Sequence, residues 1–362
     1  MDYKELDNQN KSAYYYTLYD QKTYQEKYNY WATAIGLQDV DGLKPSPFLI
    51  DIANRSIKGE LSLQEVKQKL SAYYKEKDKH NTNEKEKEAD IVSTNITTIL
   101  TSPDFNFSVD GLLSIHKYLF NEVFSFAGEI RTVDISKKEW VLNGESVLYS
   151  PAQMIIENIK YDLEEEKKFS YTNLNQAELV SHLSLFIARL WQIHPFREGN
   201  TRTSVVFLIK YLNTLGYSVT NDLFSENSWF FRNALVRACY SDRRNGILPD
   251  FSFLETFFNC LLFNEKAELK NRNMKITSEK EPTNRPTDRL TLLEVLSDDE
   301  LSARQIMNAM GLSHVPSFRK THLKPALEKG LIERTIPENP NHPEQKYRLT
   351  EKGKKKLSDS TS

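Results

Sequence analysis

Hydrophobic residues recur three or four positions apart in several long segments of this 362-residue chain, which is the spacing of helices that bury one face. Two strongly apolar segments, residues 178–193 and 203–215, flank a short polar loop. Ser62 opens another helix, because Glu65 three residues later completes a capping box. The pattern predicts further helices at residues 31–40, 47–57, 91–100, 109–124, 151–163, 230–238 and 251–263. The chain is therefore predicted to be mainly α-helical.

Residues 133–148 depart from this helical spacing. Val133, Ile135 and the apolar residues after Trp140 favour short strands, and Asn143-Gly144 is typical of a tight hairpin turn. A lone hairpin in a helical domain has exposed edges, and these can pair with an extended peptide by strand addition. We therefore predict a small β-hairpin here, which is either a peptide-docking element or a surface hairpin without that role.

Two charged stretches divide the chain. Residues 75–90 are dominated by Lys, Glu, Asp and Asn, and residues 265–287 are charged and contain prolines near their end. The predicted domains are a helical N-terminal segment over residues 1–80, a central domain over 81–265, a linker over 266–287 and a compact domain over 288–357. Seven tyrosines crowd residues 14–30 and predict an aromatic face packed on a neighbouring domain.

The C-terminal domain is predicted to contain three helices followed by a proline-rich hairpin over residues 330–350. This order resembles a winged helix, which can bind DNA phosphates through basic residues of its third helix and wing. The basic residues at those places are Arg319, Lys320, His322, Lys324, Lys352, Lys354, Lys355 and Lys356. Because nearby glutamates dilute this charge, docking to a protein or to a second copy stays open beside DNA binding.

Composition narrows the compartment and the partners. The 48 Lys and Arg residues nearly balance the 50 Asp and Glu residues, so the whole chain is not a generic polyanion binder. Two cysteines, Cys239 and Cys260, form no disulfide framework and are expected in the core or at an interface. The N-terminus does not look like a signal peptide, and no apolar run reaches membrane-spanning length. A cytoplasmic protein with no membrane contact is expected, and a homodimer is one option.

The loop between the two apolar helices, residues 194–202, has the features of a phosphate-binding site. Pro195 disfavours a helical backbone at the residue before it, so the first helix should stop there. Gly199 and Asn200 tolerate a left-handed backbone, which lets successive N–H groups converge on an anion. The next helix begins directly afterwards and adds its positive dipole end, while Arg202 adds a bidentate cation.

Two further residues of this loop suggest the reaction. Glu198 lies among cationic groups, which suits a Mg²⁺ bound through one carboxylate and substrate phosphates. His194 is the nearby side chain that can accept a proton near neutral pH. An imidazole, a carboxylate for a metal, an amide nest and an arginine together predict an enzyme that transfers a nucleotide to a hydroxyl.

The sequence HPFREGNTR of this loop resembles the Fic-domain signature HPFx(D/E)GN(G/K)RxxR, with seven positions matched in order. The resemblance implies a Fic-type helical bundle that transfers AMP from ATP to a Ser, Thr or Tyr hydroxyl of a target protein. It implies that His194 is the general base, that Glu198 holds Mg²⁺ and that Phe196 is a buried anchor. The nucleotide-binding residues that it implies are Arg197, Gly199, Asn200, Thr201 and Arg202. The predicted hairpin would be the Fic flap, in which Ile135, Ser136 and Lys137 dock the target.

Two positions depart from the signature. Thr201 replaces the usual Gly or Lys, and Val205 stands where the second arginine of the family would be. One ligand of the γ-phosphate is therefore missing, which leaves open an enzyme that uses another nucleotide donor. A DNA-binding regulator whose Fic fold has lost catalysis or senses a nucleotide is the alternative from a different class.

Residues 36–47 resemble the antitoxin module that inhibits Fic toxins through an (S/T)xxxE(G/N) motif. Here Asp41 takes the place of the inhibitory glutamate, before Gly42, and Leu37 takes the Ser/Thr place. The arginine that such a glutamate would pair with is Val205 in this chain. We therefore predict a fused regulatory segment that includes Asp41 and Gly42, in which inhibition by a glutamate–arginine pair is weakened or absent.

Two polar residues outside the loop are assigned to structure rather than to chemistry. His116 lies among apolar neighbours of a predicted helix and is expected in the core. Arg131 precedes the predicted flap and could contact the nucleotide, but a structural role is favoured.

Overall fold

A computed structural model describes most of the chain. The tyrosines before residue 24, which belong to the predicted aromatic face, lie outside the described part. The described residues are 24–77, 83–217, 219, 223–276, 291–297, 300–312, 314–340 and 342–361. They form two compact units, each built from separate stretches of sequence. The first unit draws on Met1–Glu129, Thr201–Trp229 and Cys260–Lys266, and the second on Ile130–Asn200, Phe230–Asn259 and Ala267–Ser362. The predicted domain boundaries group the elements differently and remain a prediction.

In the described residues of the first unit, the regular secondary structure is helical. Its N-terminal part contains α1 (24–36), a 3-10 turn at Leu37–Asp41, α2 (Pro47–Ile57), α3 (Leu63–Lys77), α4 (Glu84–Thr101) and α5 (Val109–Phe120). The predicted capping box is confirmed, since Ser62 and Glu65 exchange side-chain and backbone hydrogen bonds at the start of α3. Trp31, Leu49 and Val66 lie in the core that joins α1 to α3.

A buried carboxylate ties three of these helices together. Asp90 of α4 accepts hydrogen bonds from the backbone N–H and the hydroxyl of Ser46, which caps α2, and from the hydroxyl of Tyr74 in α3. Its pKa is raised, mainly because burial disfavours the charged form. His116 of α5 is fully buried and accepts a hydrogen bond from the Gly128 N–H through Nδ1, so the predicted core role is confirmed.

Four long helices outside the N-terminal part carry the central sequence. They are α6 (Ile155–Lys168), α7 (Gln176–Ile193), α8 (Asn200–Thr214) and α9 (Leu223–Cys239), followed by α10 (Ser252–Phe263). The pair α6 and α7 packs together in the second unit, and Asn175 with Glu178 forms a capping box at the start of α7. Cys239 and Cys260 are both buried and are not joined by a disulfide, in agreement with the predicted core role.

The predicted β-hairpin at residues 133–148 is wrong, since this segment contains no strand. It forms a loop with a 3-10 turn at Trp140–Leu142, closed by a hydrogen bond from Gly144 N–H to the Glu139 carbonyl. The Glu139 side chain is buried in a bidentate ion pair with Arg232, at 2.7 and 3.0 Å. This long-range pair holds the loop against α9, and the ladder that local strand preference favours does not form.

The C-terminal part contains short helices and one small sheet. These are α11 (Leu292–Val295), β1 (Leu301–Ser302), α12 (Ala303–Ala309), α13 (Val315–Phe318), a wider helical turn at Arg319–Leu323, α14 (Lys324–Glu328), β2 (Ile332–Arg334), β3 (Lys346–Leu349) and α15 (Glu351–Thr361). The antiparallel sheet has the order β1-β3-β2, with Leu301 opposite Tyr347 and Ile332 opposite Leu349. Strands β2 and β3 lie where the sequence predicts the hairpin, whereas α15 is not predicted. Among the described helices, none combines the length and the apolar character needed to cross a membrane.

Candidate active site

The loop after α7 begins with a residue in an unusual backbone conformation. Helix α7 ends at Ile193, and His194 has φ 51° and ψ 60°, in the left-handed region. This is where Pro195 predicts the end of the helix. Phe196 is buried, and its backbone N–H and carbonyl pair with the Asn200 side chain at 2.9 and 2.8 Å. Asn200, predicted to bind the nucleotide, therefore closes the loop with its side chain.

The His194 side chain lies beneath the surface of the second unit. It is only 3% exposed, and its ring centroid lies 4.2 Å from that of Tyr149 and 5.3 Å from that of Trp191. Neither ring nitrogen makes a hydrogen bond. A general base needs a hydroxyl within hydrogen-bond reach of one of these nitrogens, and both are enclosed in this conformation.

The environment of His194 keeps its imidazole neutral. The pKa of His194 lies well below its ordinary value of 6.5, first because burial disfavours the charged ring and then because Lys137, Arg131 and Arg232 repel it. A neutral imidazole has a lone pair on one nitrogen and can accept a proton. The side chain therefore has the protonation state that a general base needs at neutral pH.

Arg131 holds the loop from below and is 1% exposed. Its Nε donates to the His194 carbonyl at 2.8 Å, and its backbone N–H donates to the Pro195 carbonyl at 2.9 Å. The rest of its guanidinium donates to the carbonyls of Val133 and Ser150. All of these acceptors are backbone oxygens, so Arg131 positions the loop, which confirms the structural role favoured from the sequence.

Glu198 is the exposed carboxylate of the loop. Its side chain is 41% exposed, and Lys137 Nζ lies 3.5 Å from its Oε1. Lys137, predicted to dock the target, therefore meets the carboxylate predicted to hold the metal. Of the other two predicted docking residues, Ser136 is exposed and Ile135 is half-buried.

The donor set fits a metal that is held jointly with a substrate. Among the described residues, no group of three or more His, Cys, Asp and Glu side chains could hold a metal ion. A Mg²⁺ ion would therefore rest on Glu198 and on phosphate oxygens, which is a common way for proteins to bind Mg²⁺. The position of Lys137 shows that a positive charge is accommodated at this carboxylate.

Arg202 belongs to the first unit and is fully buried there. Its Nε lies 2.8 Å from Asp41 Oδ2, its Nη2 lies 2.8 Å from Glu88 Oε1, and its Nη1 donates to Gln38 Oε1 at 3.0 Å. Its Cζ lies 4.8 Å from the ring centroid of Phe120. The guanidinium predicted to bind phosphate is therefore surrounded by partners from within the unit.

The remaining predicted residues are placed as follows. Gly199 has φ 76°, as the predicted left-handed turn requires, and Gly42 has φ 67° where it ends the 3-10 turn of the N-terminal segment. Arg197 is exposed, whereas Thr201 is buried. Val205, at the position of the missing second arginine, is completely buried.

Several residues that surround His194 and Arg202, at the two ends of the loop, were not predicted from the sequence. Tyr149 covers the His194 ring, and Gln38 and Glu88 contact Arg202. Glu88 lies in the charged stretch interpreted as a linker, where nothing in the sequence distinguishes it from its neighbours. These contacts depend on tertiary packing, and a single sequence carries no signal for them.

Comparisons with known proteins agree with the family resemblance of the loop sequence. The Fic/DOC family model matches residues 106–212, and the model described as "Filamentation induced by cAMP protein Fic-like, C-terminal domain" matches residues 289–350. The protein adenylyltransferase VbhT of Bartonella schoenbuchensis is 31% identical over 122 residues, covering 34% of this chain and 24% of VbhT. The probable protein adenylyltransferase y4lH of Sinorhizobium fredii is 27% identical over 141 residues, covering 39% of this chain and 69% of y4lH.

A Fic family protein from Desulfovibrio desulfuricans G20 of known crystal structure aligns over 90% of this chain and 88% of its own, with 22% identity and a TM-score of 0.40. This chain spans about a quarter of the length of VbhT. The two family models together include the candidate loop and most of the described C-terminal part. The chain therefore carries a Fic/DOC family domain followed by a Fic-like C-terminal domain.

Proposed function

We propose that this protein transfers AMP from ATP to a hydroxyl side chain of a target protein. The observation that carries the proposal is the neutral His194 imidazole, which has no hydrogen-bond partner and stands four residues before the exposed carboxylate of Glu198. Relatives that share the Fic/DOC domain are named protein adenylyltransferases, which supports the same reaction. The cytoplasm, which supplies ATP, is the compartment that suits this activity.

The proposed chemistry assigns one step to His194. The target hydroxyl gives its proton to a ring nitrogen of His194 while its oxygen forms a bond to the α-phosphorus of ATP. The bond from that phosphorus to the β-phosphate oxygen breaks, and pyrophosphate leaves. Mg²⁺, when bound, neutralises charge on the phosphates and on the leaving pyrophosphate.

The other residues of the loop would position the reactants. Glu198 Oε1, which lies 3.5 Å from Lys137 Nζ and accepts a hydrogen bond from the Gly199 N–H at 3.4 Å, would exchange both contacts for the metal. The Gly199 N–H would then turn to a phosphate. Arg131 keeps the His194 carbonyl fixed during these changes. Because the ring is enclosed against Tyr149, the proposal also requires a movement that exposes one ring nitrogen.

We further propose that the N-terminal segment restrains the nucleotide site through Arg202. The resemblance to an antitoxin module predicts an acidic residue that occupies an arginine of the motif. In this chain that acidic residue is Asp41, and its partner is Arg202 rather than the residue at position 205. An arginine held by Asp41, Glu88 and Gln38 is not available to phosphate oxygens until these contacts open.

The direct test compares two radiolabelled forms of ATP. The full chain is incubated with a cell lysate and with ATP labelled at either the α- or the γ-phosphate. Lysate kinases transfer the γ-phosphate on their own, so each signal is read after subtraction of a reaction that lacks the chain. AMP transfer predicts chain-dependent label from the α-labelled form alone, because the γ-phosphate leaves with pyrophosphate. Chain-dependent label from the γ form would contradict AMP transfer, and parallel reactions with α-labelled GTP, CTP and UTP identify a different donor.

A further inference from the structure

A cavity lies between the C-terminal domain and the Fic residues that hold His194, within the second unit. Its volume is about 160 Å³. One side is formed by Leu148, Tyr149 and Pro151, and the other by Leu312, His314 and Ser317. Apolar cavities of roughly 150 Å³ accommodate one benzene-sized molecule.

The C-terminal wall of this cavity is docked on α6. Helix α13 packs against α6, Lys320 Nζ lies 3.5 Å from Glu157 Oε2, and His314 Nδ1 lies 3.2 Å from Asp162 Oδ2. Lys320 was predicted to face DNA and is paired here with a carboxylate of the chain itself. The segment that corresponds to the recognition helix of a winged helix therefore packs against α6 of the same chain.

His314 supplies one ring nitrogen without a partner at the cavity. The residue is 6% exposed, its Nδ1 lies 3.2 Å from Asp162 Oδ2, and its Nε2 makes no hydrogen bond. A buried polar group without a partner costs free energy that a bound ligand can recover. His322 also lines the cavity, and burial lowers its pKa, so it adds a neutral imidazole.

The opposite wall of the cavity contacts His194, the candidate general base. The Tyr149 ring that lines the cavity also lies against the His194 ring, with 4.2 Å between centroids. The Ser150 carbonyl accepts a hydrogen bond from Arg131, whose Nε holds the His194 carbonyl. A molecule that fixes this wall would therefore also fix the surroundings of His194.

We propose that this cavity is an effector site for one small, neutral aromatic molecule that carries a hydroxyl group. The size and the largely apolar lining select a single ring. A hydroxyl both donates and accepts, so it can pair with Nε2 of His314 whether or not that nitrogen carries a proton. The Asp162 carboxylate behind His314 disfavours an anion in the same place.

Binding is measured by ligand-observed NMR with the full chain and three probes: phenol, toluene and benzoate. Phenol is expected to bind saturably with a dissociation constant on the order of 1 mM, as suits a ligand of seven heavy atoms. Toluene should bind several-fold more weakly, because it leaves Nε2 of His314 without a partner, and benzoate should not bind. Failure of all three probes to bind saturably would overturn the proposal.

Variants locate the site. Ser317→Trp fills the cavity and should abolish phenol binding, while Ser170→Trp places the same ring at an exposed position and should leave it unchanged. Leu312→Trp fills the cavity from a partly exposed position and covers the case in which Ser317→Trp does not fold. His314→Phe should reduce phenol to the affinity of toluene. Undiminished phenol binding by folded Leu312→Trp would place the site elsewhere and refute the assignment.

The coupling to His194 has its own readout. Phenol should shift the NMR resonances of the His194 imidazole in the wild-type chain and leave them unchanged in the cavity-filling variants. Binding without such a shift would refute the coupling. Neither measurement involves nucleotide transfer, so both are independent of whether the chain transfers AMP.

Discussion

Asp41 and Arg202 form an ion pair in which 2.8 Å separates the carboxylate Oδ2 from the guanidinium Nε. Arg202 is fully buried and also contacts Glu88 and Gln38, whereas the Asp41 side chain is 23% exposed. The pair joins the N-terminal segment to the motif helix within the first unit. In the proposed regulation, this pair and the Gln38 hydrogen bond are the contacts through which the segment would restrain phosphate binding.

Removing the Asp41 carboxylate should lower the stability of the fold and raise its affinity for ATP. In Asp41→Ala, Arg202 keeps Glu88 and Gln38 but loses one partner, so we expect unfolding to need about 1–3 kcal/mol less free energy. The same change leaves part of the guanidinium available to phosphate, so ATP should bind about 5- to 10-fold more tightly, which corresponds to a coupling of about 1 kcal/mol. Thermal denaturation and calorimetric ATP titration measure the two effects.

Asp39→Ala is the matched control, because Asp39 is an exposed aspartate in the same 3-10 turn. It should leave both the melting temperature and the ATP affinity close to those of the wild type. Unchanged ATP affinity in Asp41→Ala would show that the pair is structural and has no regulatory effect.

Local signals in the sequence predicted the ends of two helices correctly. Pro195 predicts that α7 ends before His194, and the capping box of Ser62 and Glu65 predicts the start of α3. Each of these features depends on residues within about one helical turn, where steric and capping rules apply directly. The same locality explains why the residues of the candidate loop could be identified in order.

Long-range pairing explains what the sequence did not predict. The hydrogen bonds from Arg202 to Gln38 and Glu88 span 164 and 114 residues, and the Arg232–Glu139 pair that holds the flap segment spans 93. Neither the partners of Arg202 nor the loss of the predicted strands follows from local preference. Burial of charged pairs is decided by the packed fold, and it overrode the strand preference of the flap.

The role of His194 can be tested without disturbing the backbone. Asn tolerates the left-handed conformation that His194 adopts, whereas Ala at φ 51° would add strain. His194→Asn should therefore fold with a melting temperature near that of the wild type and lose about 10²- to 10⁴-fold in AMP transfer, the usual contribution of a general base. Initial rates with α-labelled ATP give the comparison, and a folded variant with wild-type rates would exclude His194 as the base.

Stability should fall in acid because of the same side chain. The pKa of His194 is below 6.5 in the folded protein and close to it in the unfolded chain, so the unfolded state binds more protons below about pH 6.5. The stabilisation is complete above that pH, and its loss approaches about 1.4 kcal/mol per pH unit as pH falls towards the folded pKa. The free energy of unfolding, measured with urea between pH 5 and 7.5, should fall less steeply with decreasing pH in His194→Asn than in the wild type. An equal pH dependence in both would contradict the depressed pKa.

Lys137 should control both the imidazole and the carboxylate of the loop. Its positive charge disfavours protonation of His194 and lies 3.5 Å from Glu198. In Lys137→Met the pKa of His194 should rise towards 6.5, which histidine NMR titration detects, and Mg²⁺ should bind more tightly because Glu198 no longer has a competing cation. Lys138→Met, the exposed neighbour, is the matched control and should change neither value. A Mg²⁺ affinity that is identical in both variants would show that Lys137 does not compete at Glu198.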